Sequence, residues 1–524
     1  MSIYLLFKRI PQYSKIMIRI KTVFLLCLFP ILILCTCSSG SNERSENPKI
    51  VAGTSKLTGK IINVNELDKD SIIINLKVLY PITGEIMHFE TLADSTGYFY
   101  FDFDLETDRA IVYLNSNVVP DKILMVKAIN GTTSHVEFSY IDSEIKRISV
   151  QPEMNKADMN LSYRLLVMMT DYRADRSYKS YYNQSPEEFL KLGKHVLSER
   201  TELFLEKETA LSEEFRRLLR KEFSLFIYSA HVFDYEQEMK LNYRNATRKD
   251  DVESVVFHKI DRSYYRFLKD FDLNDPQYLQ AFGFPEFQGA ILNNELLAIP
   301  KIEEQDIPTW MTAVKVILAD PLGFDKGPYY DVLAANAYGR QLNEEHKPLS
   351  ETQKHNIEQY WKDGEIAKIL LRKTKAVEEK IKIKSPTIIN DISSVRKEQV
   401  MDTILAKYKD KVVLVDFWAT WCSPCLVGIK QFESTKADYH NKDVVFVYLT
   451  NGSSPKELWN EKIKAIGGEH YYLTEEQWMY VMNQFGFEAI PSYLLYNKNS
   501  VLTNKFTSFP GIIQLKDMID REIM

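Results

Sequence analysis

The sequence predicts a multidomain architecture: a small antiparallel β-sandwich, then an α-helical domain, then an α/β domain built on a central sheet. Three observations predict it. Residues 49–153 carry short β-branched and aromatic runs between turn residues, the pattern of strands. Residues 156–383 carry apolar residues at helical spacing behind legible helix starts. Residues 385–524 alternate apolar strand-like runs with amphipathic stretches, the order of a sheet with helices on both faces. A chain of 524 residues exceeds a single core, which supports several units. Its 45% hydrophobic and 26% charged residues are ordinary for globular protein, and a net charge of -6 gives no basis for nucleic-acid binding.

Residues 1–37 read as an export signal. Lys8, Arg9, Lys15, Arg19 and Lys21 form its positive region, and Val23 to Leu34 its apolar one. That run spans about 18 Å as a helix, short of the ~30 Å hydrocarbon core, and contains Pro30, so a permanent membrane span is the weaker reading. Leu34-Cys35-Thr36-Cys37-Ser38-Ser39 resembles a bacterial lipoprotein signal, in which a Cys after small residues becomes the lipidated first residue. Cys37 fits that place better than Cys35, which follows bulky Leu34; chance cysteines in a plain secretory signal are the alternative. Residues 38–48 then form a flexible tether. Cys27 and Cys35 leave with the signal, so the mature chain keeps only Cys422 and Cys425 beyond the acylated residue. One Cys pair in an exported chain is no stabilising framework, which leaves reactivity or metal binding.

In the first folded part, Ser71 to Leu79 and Gly97 to Phe103 are strand-like, and Asp94-Ser95-Thr96-Gly97 is a turn with Gly free to take positive φ. The stretch Asp94 to Phe101 resembles exported Ig-like or carboxypeptidase-regulatory-like modules, which most often act as spacers. In the second part, Ser185-Pro186-Glu187-Glu188, Ser212-Glu213-Glu214, Asp275-Pro276 and Ser350-Glu351-Thr352-Gln353 are helix starts. Tyr172, Tyr178, Tyr181 and Tyr182 are expected to pack between helices, with a binding surface as the alternative. Lys384 to Thr387 joins this part to the last one.

There the expected order is a helix over 395–407, a strand over 412–418, a helix after the Cys pair and a strand over 444–449. A helix over 454–466, an insertion through Phe485, strands over 492–496 and 501–506, and a helix from Ile512 complete it. The strand before Trp421-Cys422-Ser423-Pro424-Cys425 delivers a thiol to a helix N-terminus, where unpaired N–H groups and the helix dipole stabilise a thiolate. Cys422 is therefore the expected nucleophile. A structural metal site needs four ligands, and one Cys-x-x-Cys without a nearby His pair supplies two. An inert disulfide closing so short a loop would constrain little. Asp416 interrupts an apolar strand; burial there would raise its pKa and let it accept a proton near neutrality, unless it lies on an edge facing water.

The runs Val415 to Cys425, Ala489-Ile490-Pro491-Ser492-Tyr493-Leu494-Leu495 and Gln514 to Ile519 resemble the thioredoxin superfamily, in particular its extracytoplasmic TlpA-like thiol–disulfide oxidoreductases. The resemblance covers the last quarter of the chain and implies an α/β thioredoxin fold. It further implies that Cys422 and Cys425 form a redox-active disulfide, with Cys425 the resolving thiol and Asp416 assisting its deprotonation. Pro491 would be the cis-proline facing the pair, Ile490 would offer its backbone to an extended substrate, and Trp421 would form an apolar rim. The helical part, through Leu273 to Pro276 and Tyr360 to Ile366, resembles the domain that precedes thioredoxin folds in exported Bacteroidota proteins. Some positions depart from the family. Ser423-Pro424 replaces the commoner Gly-Pro, Tyr448 stands where cytoplasmic members carry a Lys paired with the buried acid, and Asn499-Ser500 stands where a Gly turn is usual.

These features together predict a lipid-anchored periplasmic disulfide reductase, with no cofactor, with disulfide-containing proteins as substrates and a membrane-embedded electron donor. The rival reading is a binding or scaffold lipoprotein whose β and helical domains engage a partner. Peroxide reduction is disfavoured because the Thr-x-x-Cys arrangement is absent.

Overall fold

The computed structural model describes residues 47–67, 71–120, 122–159, 180–206, 209–249, 251–252, 254–382, 385–440 and 442–523. The signal, Cys37, nearly all of the tether, Tyr172 and Tyr178 lie outside them.

Eight strands form the first domain: β1 (Ile50–Ile61), β2 (Ile73–Tyr80), β3 (Glu85–Leu92), β4 (Tyr98–Thr107), β5 (Arg109–Ser116), β6 (Leu124–Ile129), β7 (Thr133–Ile141) and β8 (Glu144–Gln151). They make two four-stranded sheets, β4-β1-β7-β8 and β3-β2-β5-β6. The pairing is antiparallel except that β1 and β7 run parallel. In β4 the alternation is direct: Phe99, Phe101 and Phe103 are buried while Tyr98, Tyr100 and Asp102 are exposed, as a strand with one wet face requires. The turn before it depends on Gly97, at φ 85°, because a Cβ there would stand 2.4 Å from the Ile61 carbonyl oxygen.

The helical domain starts its helices where the caps predict. Ser185 and Ser350 form reciprocal capping boxes with Glu188 and Gln353, and Ser212 caps Glu213–Ile227. Asp275-Pro276 opens only a short 3-10 turn, Pro276–Gln280. Tyr181 is buried with its hydroxyl 2.5 Å from Glu238, and Tyr182 meets Tyr243 edge-on at 5.1 Å, so these two tyrosines pack between helices.

The last domain is a six-stranded sheet in the order β14-β13-β10-β11-β12-β9. Its strands are β9 (Thr387–Asn390), β10 (Val412–Phe417), β11 (Val444–Thr450), β12 (Gly468–Tyr472), β13 (Ser492–Tyr496) and β14 (Leu502–Thr507). The stretch read as an insertion is regular structure instead. It holds β12, parallel to β11, and helix Glu475–Gln484 behind a Thr474 capping box. Residues 395–407 contain a 3-10 turn, Lys397–Gln399, and then helix Val400–Lys407.

The β domain is no free spacer. The tip between β2 and β3 enters the helical domain, where Asn336 donates to the carbonyls of Pro81 and Ile82 at 2.9 Å and Asn343 to that of Thr83 at 2.7 Å. Strand β3 also meets the last domain. Glu85, buried, pairs with Lys373 of helix Glu365–Lys382 and, at 2.6 Å, with Lys430 of helix Ser423–Lys436. Glu90 accepts from the Ile513 N–H at 3.0 Å, capping the closing helix Ile512–Ile523. No helix among the described residues is long and apolar enough to cross a membrane.

Candidate active site around Cys422 and Cys425

Every residue of β10 is buried, because the strand lies inside the sheet between β11 and β13. Its register sets Asp416 beside Tyr448 on β11 and Tyr493 on β13. Trp418 closes the strand by donating to Leu449, the chain turns through Ala419 and Thr420, and helix Ser423–Lys436 begins. Cys422 and Cys425 are joined in a disulfide with their Cα atoms 5.3 Å apart. The Cys425 N–H donates to Cys422 Sγ at 3.3 Å, one of the first-turn donors that has no partner within its helix. In the reduced state this donor, with the dipole behind it, favours a thiolate on Cys422.

Cys425 is fully buried and Cys422 only 2% exposed, whereas Trp421 is 56% exposed. The Trp421 indole is nonetheless held. Its Nε1–H donates to Ser453 Oγ at 3.2 Å, Ser453 donates to Asn451 Oδ1 at 2.7 Å, and Asn451 donates to Glu475 at 2.9 Å. Ser454 Oγ accepts from the Thr420 N–H at 3.0 Å, which fixes the turn itself. The Ile490–Pro491 peptide is cis. Ile490 packs against the apolar cluster that contains both cysteines, and Pro491 accepts from the Ser508 N–H at 3.0 Å. Cys422, Cys425, Trp421, Ile490 and Pro491 therefore gather at one end of the sheet, with Asp416 beneath.

Asp416 is interior, not an edge residue. Burial holds its carboxyl well above the usual carboxylate range, and the Lys436 cation pulls the other way. A cavity of about 20 Å³, room for one water, is lined by Asp416, Tyr448, Tyr493 and Phe432. Asp416 Oδ1 and the Tyr493 hydroxyl have no hydrogen-bond partner among the described residues.

Lys436 was not foreseen from the sequence. It closes helix Ser423–Lys436 and is 7% exposed, and its ammonium donates to the Tyr448 hydroxyl at 2.9 Å and the Ile466 carbonyl at 2.8 Å. A Lys in a last helical turn ordinarily answers the helix dipole from the surface, so nothing local marks this one as interior. Ser453 and Asn451 were equally silent, since a Gly-Ser loop reads only as a turn. Among the described residues no three His, Cys, Asp or Glu side chains gather as a metal set would.

A Redoxin family model matches residues 391–511. Among curated proteins, a thioredoxin of Chlorobaculum thiosulfatiphilum is 26% identical over 114 residues, which are 22% of this chain and 78% of that protein. A thioredoxin of Coprinus comatus is 34% identical over 56 residues, 11% of this chain and 53% of that one. Among solved structures, the thioredoxin domain of a thiol-disulfide oxidoreductase from Bacteroides vulgatus is similar at 19% identity and a TM-score of 0.21, covering 22% of this chain and 84% of that one. A thiol:disulfide interchange protein of the thioredoxin family from Chlorobium tepidum is similar at 18% identity and a TM-score of 0.21, covering 23% and 84%. With the sheet order and the Cys-x-x-Cys at the head of its helix, the C-terminal domain belongs to the thioredoxin superfamily. That domain is thioredoxin-like in fold and oxidoreductase class, and the β and helical domains lie outside the matched region.

Proposed function

We propose that the chain is a lipid-anchored periplasmic reductase of protein disulfides. The observation that carries the reading is the Cys422–Cys425 pair at a helix head above an interior carboxylate. The Cys422 thiolate attacks one sulfur of a substrate disulfide. That bond breaks, a Cys422–substrate disulfide forms, and the leaving thiolate takes a proton. Cys425, deprotonated with the help of Asp416, then attacks Cys422 Sγ and releases the second substrate thiol. Two electrons and two protons pass to the substrate, and the Cys pair is left oxidised. A membrane-embedded thiol donor returns the electrons.

Trp421, Ile490 and Pro491 form the rim a substrate chain crosses, with the Ile490 backbone offered to it. Acylation of Cys37 holds the chain to the membrane through the 38–48 tether, facing the periplasm. Cys425→Ala tests the reading, because it leaves the first attack possible and removes the resolving thiol. The variant is expected to accumulate mixed disulfides that dithiothreitol releases, while Cys422→Ala accumulates none. Absence of captured protein from both would favour the rival, in which the β and helical domains do the binding and the redox domain is secondary.

A further inference from the structure

A cleft of about 280 Å³ runs between the redox domain and the helical domain. One wall is the outer face of the active-site helix, through Ser423, Leu426 and Val427, whose spacing keeps them on one side. The floor includes Ala465 and Ile466, at the end of helix Lys456–Ile466. The far wall comes from the helical domain: Glu344 and His346, just beyond helix Tyr329–Asn343. Lys430, Glu433 and Lys436 of the active-site helix also line the space, and ion pairs from two of them tie this helix to the helical domain and to the β domain. Glu433 of the active-site helix faces Lys380 at 3.5 Å and His346 at 3.8 Å, and Lys430 meets Glu85 at 2.6 Å.

We propose that this cleft receives the stretch of substrate polypeptide adjoining the cysteine under attack, with an apolar side chain seated between the active-site helix and the helical domain. The inference rests on the oxidoreductase reading and names what that site selects. In the mixed disulfide the substrate is bonded to Cys422, the residue before Ser423. About one helical turn, roughly 5.4 Å, separates that point from Leu426 and Val427. The occupant is thus tethered at the mouth of the cleft by the reaction itself. Half-buried aliphatic groups on the floor and near wall offer burial to an apolar side chain, while the Glu344 carboxylate on the far wall can accept from backbone amides. Protein disulfides come from cysteines set among apolar neighbours, since Cys is one of the most buried residue types, so an unfolded substrate presents such side chains beside its sulfur. A small disulfide has nothing to place there. The helical domain therefore favours protein disulfides over small ones without touching the chemistry, and the cleft adds no covalent step.

The test uses the full chain with dithiothreitol as electron source and two substrates, disulfide-bonded ribonuclease unfolded in urea and 2-hydroxyethyl disulfide. Val427→Lys puts a charge on the near wall, and Glu344→Trp fills the cleft from the other domain, so each checks the other if one fails to fold. Both variants are expected to raise KM for the protein about ten-fold, the scale of one aliphatic side chain left unburied, with kcat and small-disulfide turnover unchanged. Unchanged KM for the protein in both variants, with small-disulfide turnover intact, overturns the cleft assignment alone. If the unaltered chain reduces neither substrate, the oxidoreductase reading falls and takes this inference with it.

Discussion

The Asp416 titration is set more by its surroundings than by any bond. Its strand is interior, desolvation raises its pKa, and the one opposing influence of note is the Lys436 cation, which reaches the same region from the far end of the active-site helix. Tyr448 takes the hydrogen bond from Lys436 and stands next to Asp416 in the sheet register. Removing it as Lys436→Met leaves desolvation unopposed and moves the Asp416 titration to higher pH. Release of a reporter thiol from a preformed Cys422 mixed disulfide, followed against pH, is expected to shift its midpoint alkaline by about one unit, the usual effect of one nearby charge. An unmoved midpoint in a folded variant would show that Lys436 serves only packing. The cysteines and Asp416 were legible because they sit in one short run whose residue types fit one chemistry, and Pro491 was legible only through the family resemblance. Lys436 and Ser453 reach the site from turns remote in the chain, through contacts that only the fold creates.

At the scale of elements, the best-read pieces were those with a strong local signal: capped helices, and β10 with its unbroken aliphatic run. Strands β9 and β12 were missed for a physical reason. Each is four or five residues long, and Gly468-Glu469-His470-Tyr471-Tyr472 lacks the aliphatic repeat that marks an interior strand. Docking of the β2–β3 tip was also illegible, since it rests on the size of one residue in another domain. A Cβ on Gly339 would stand 2.2 Å from the Thr83 carbonyl oxygen. Gly339→Ala in a helix interior ordinarily gains about 1 kcal/mol of propensity. Here the overlap is with backbone, which cannot rotate away, and overpacking costs about 1–3 kcal/mol. The sign should reverse. Urea denaturation is expected to show net destabilisation of about 1–2 kcal/mol, and a more stable variant would mean that the tip retreats without cost.

At the scale of the whole molecule, two buried carboxylates at the domain junction respond to pH in opposite senses. Burial alone would raise Glu85, but the ammonium groups of Lys430 and Lys373 outweigh it and hold the pKa at about 2, below the ordinary 4.5. Its stabilising effect is complete above pH 4.5 and fades as pH falls toward 2. Glu106 holds the same hairpin tip, accepting from the N–H groups of Ile82 at 2.6 Å and Thr83 at 3.1 Å and from the Thr83 hydroxyl at 2.7 Å. Desolvation exceeds these bonds and raises its pKa from 4.5 to about 7, so its ionisation erodes stability between those values. Each window spans about 2.5 pH units (4.5 − 2 and 7 − 4.5), a ceiling of about 3 kcal/mol apiece. The windows meet near pH 4.5, where the three-domain junction should resist unfolding best. Calorimetry from pH 3 to 8 separates the two. Glu106→Gln keeps an acceptor for both N–H groups and cannot ionise, so its melting temperature should stay level above pH 5 while that of the unaltered chain declines. Glu85→Gln leaves Lys373 buried without its counter-charge, a loss of about 3–5 kcal/mol at neutral pH. Because Glu85 joins all three domains, the C-terminal domain of that variant should melt as a separate transition. A Glu106→Gln melting temperature that falls as steeply as before, or a single undisturbed transition in Glu85→Gln, would place the coupling between domains elsewhere than at this pair of carboxylates.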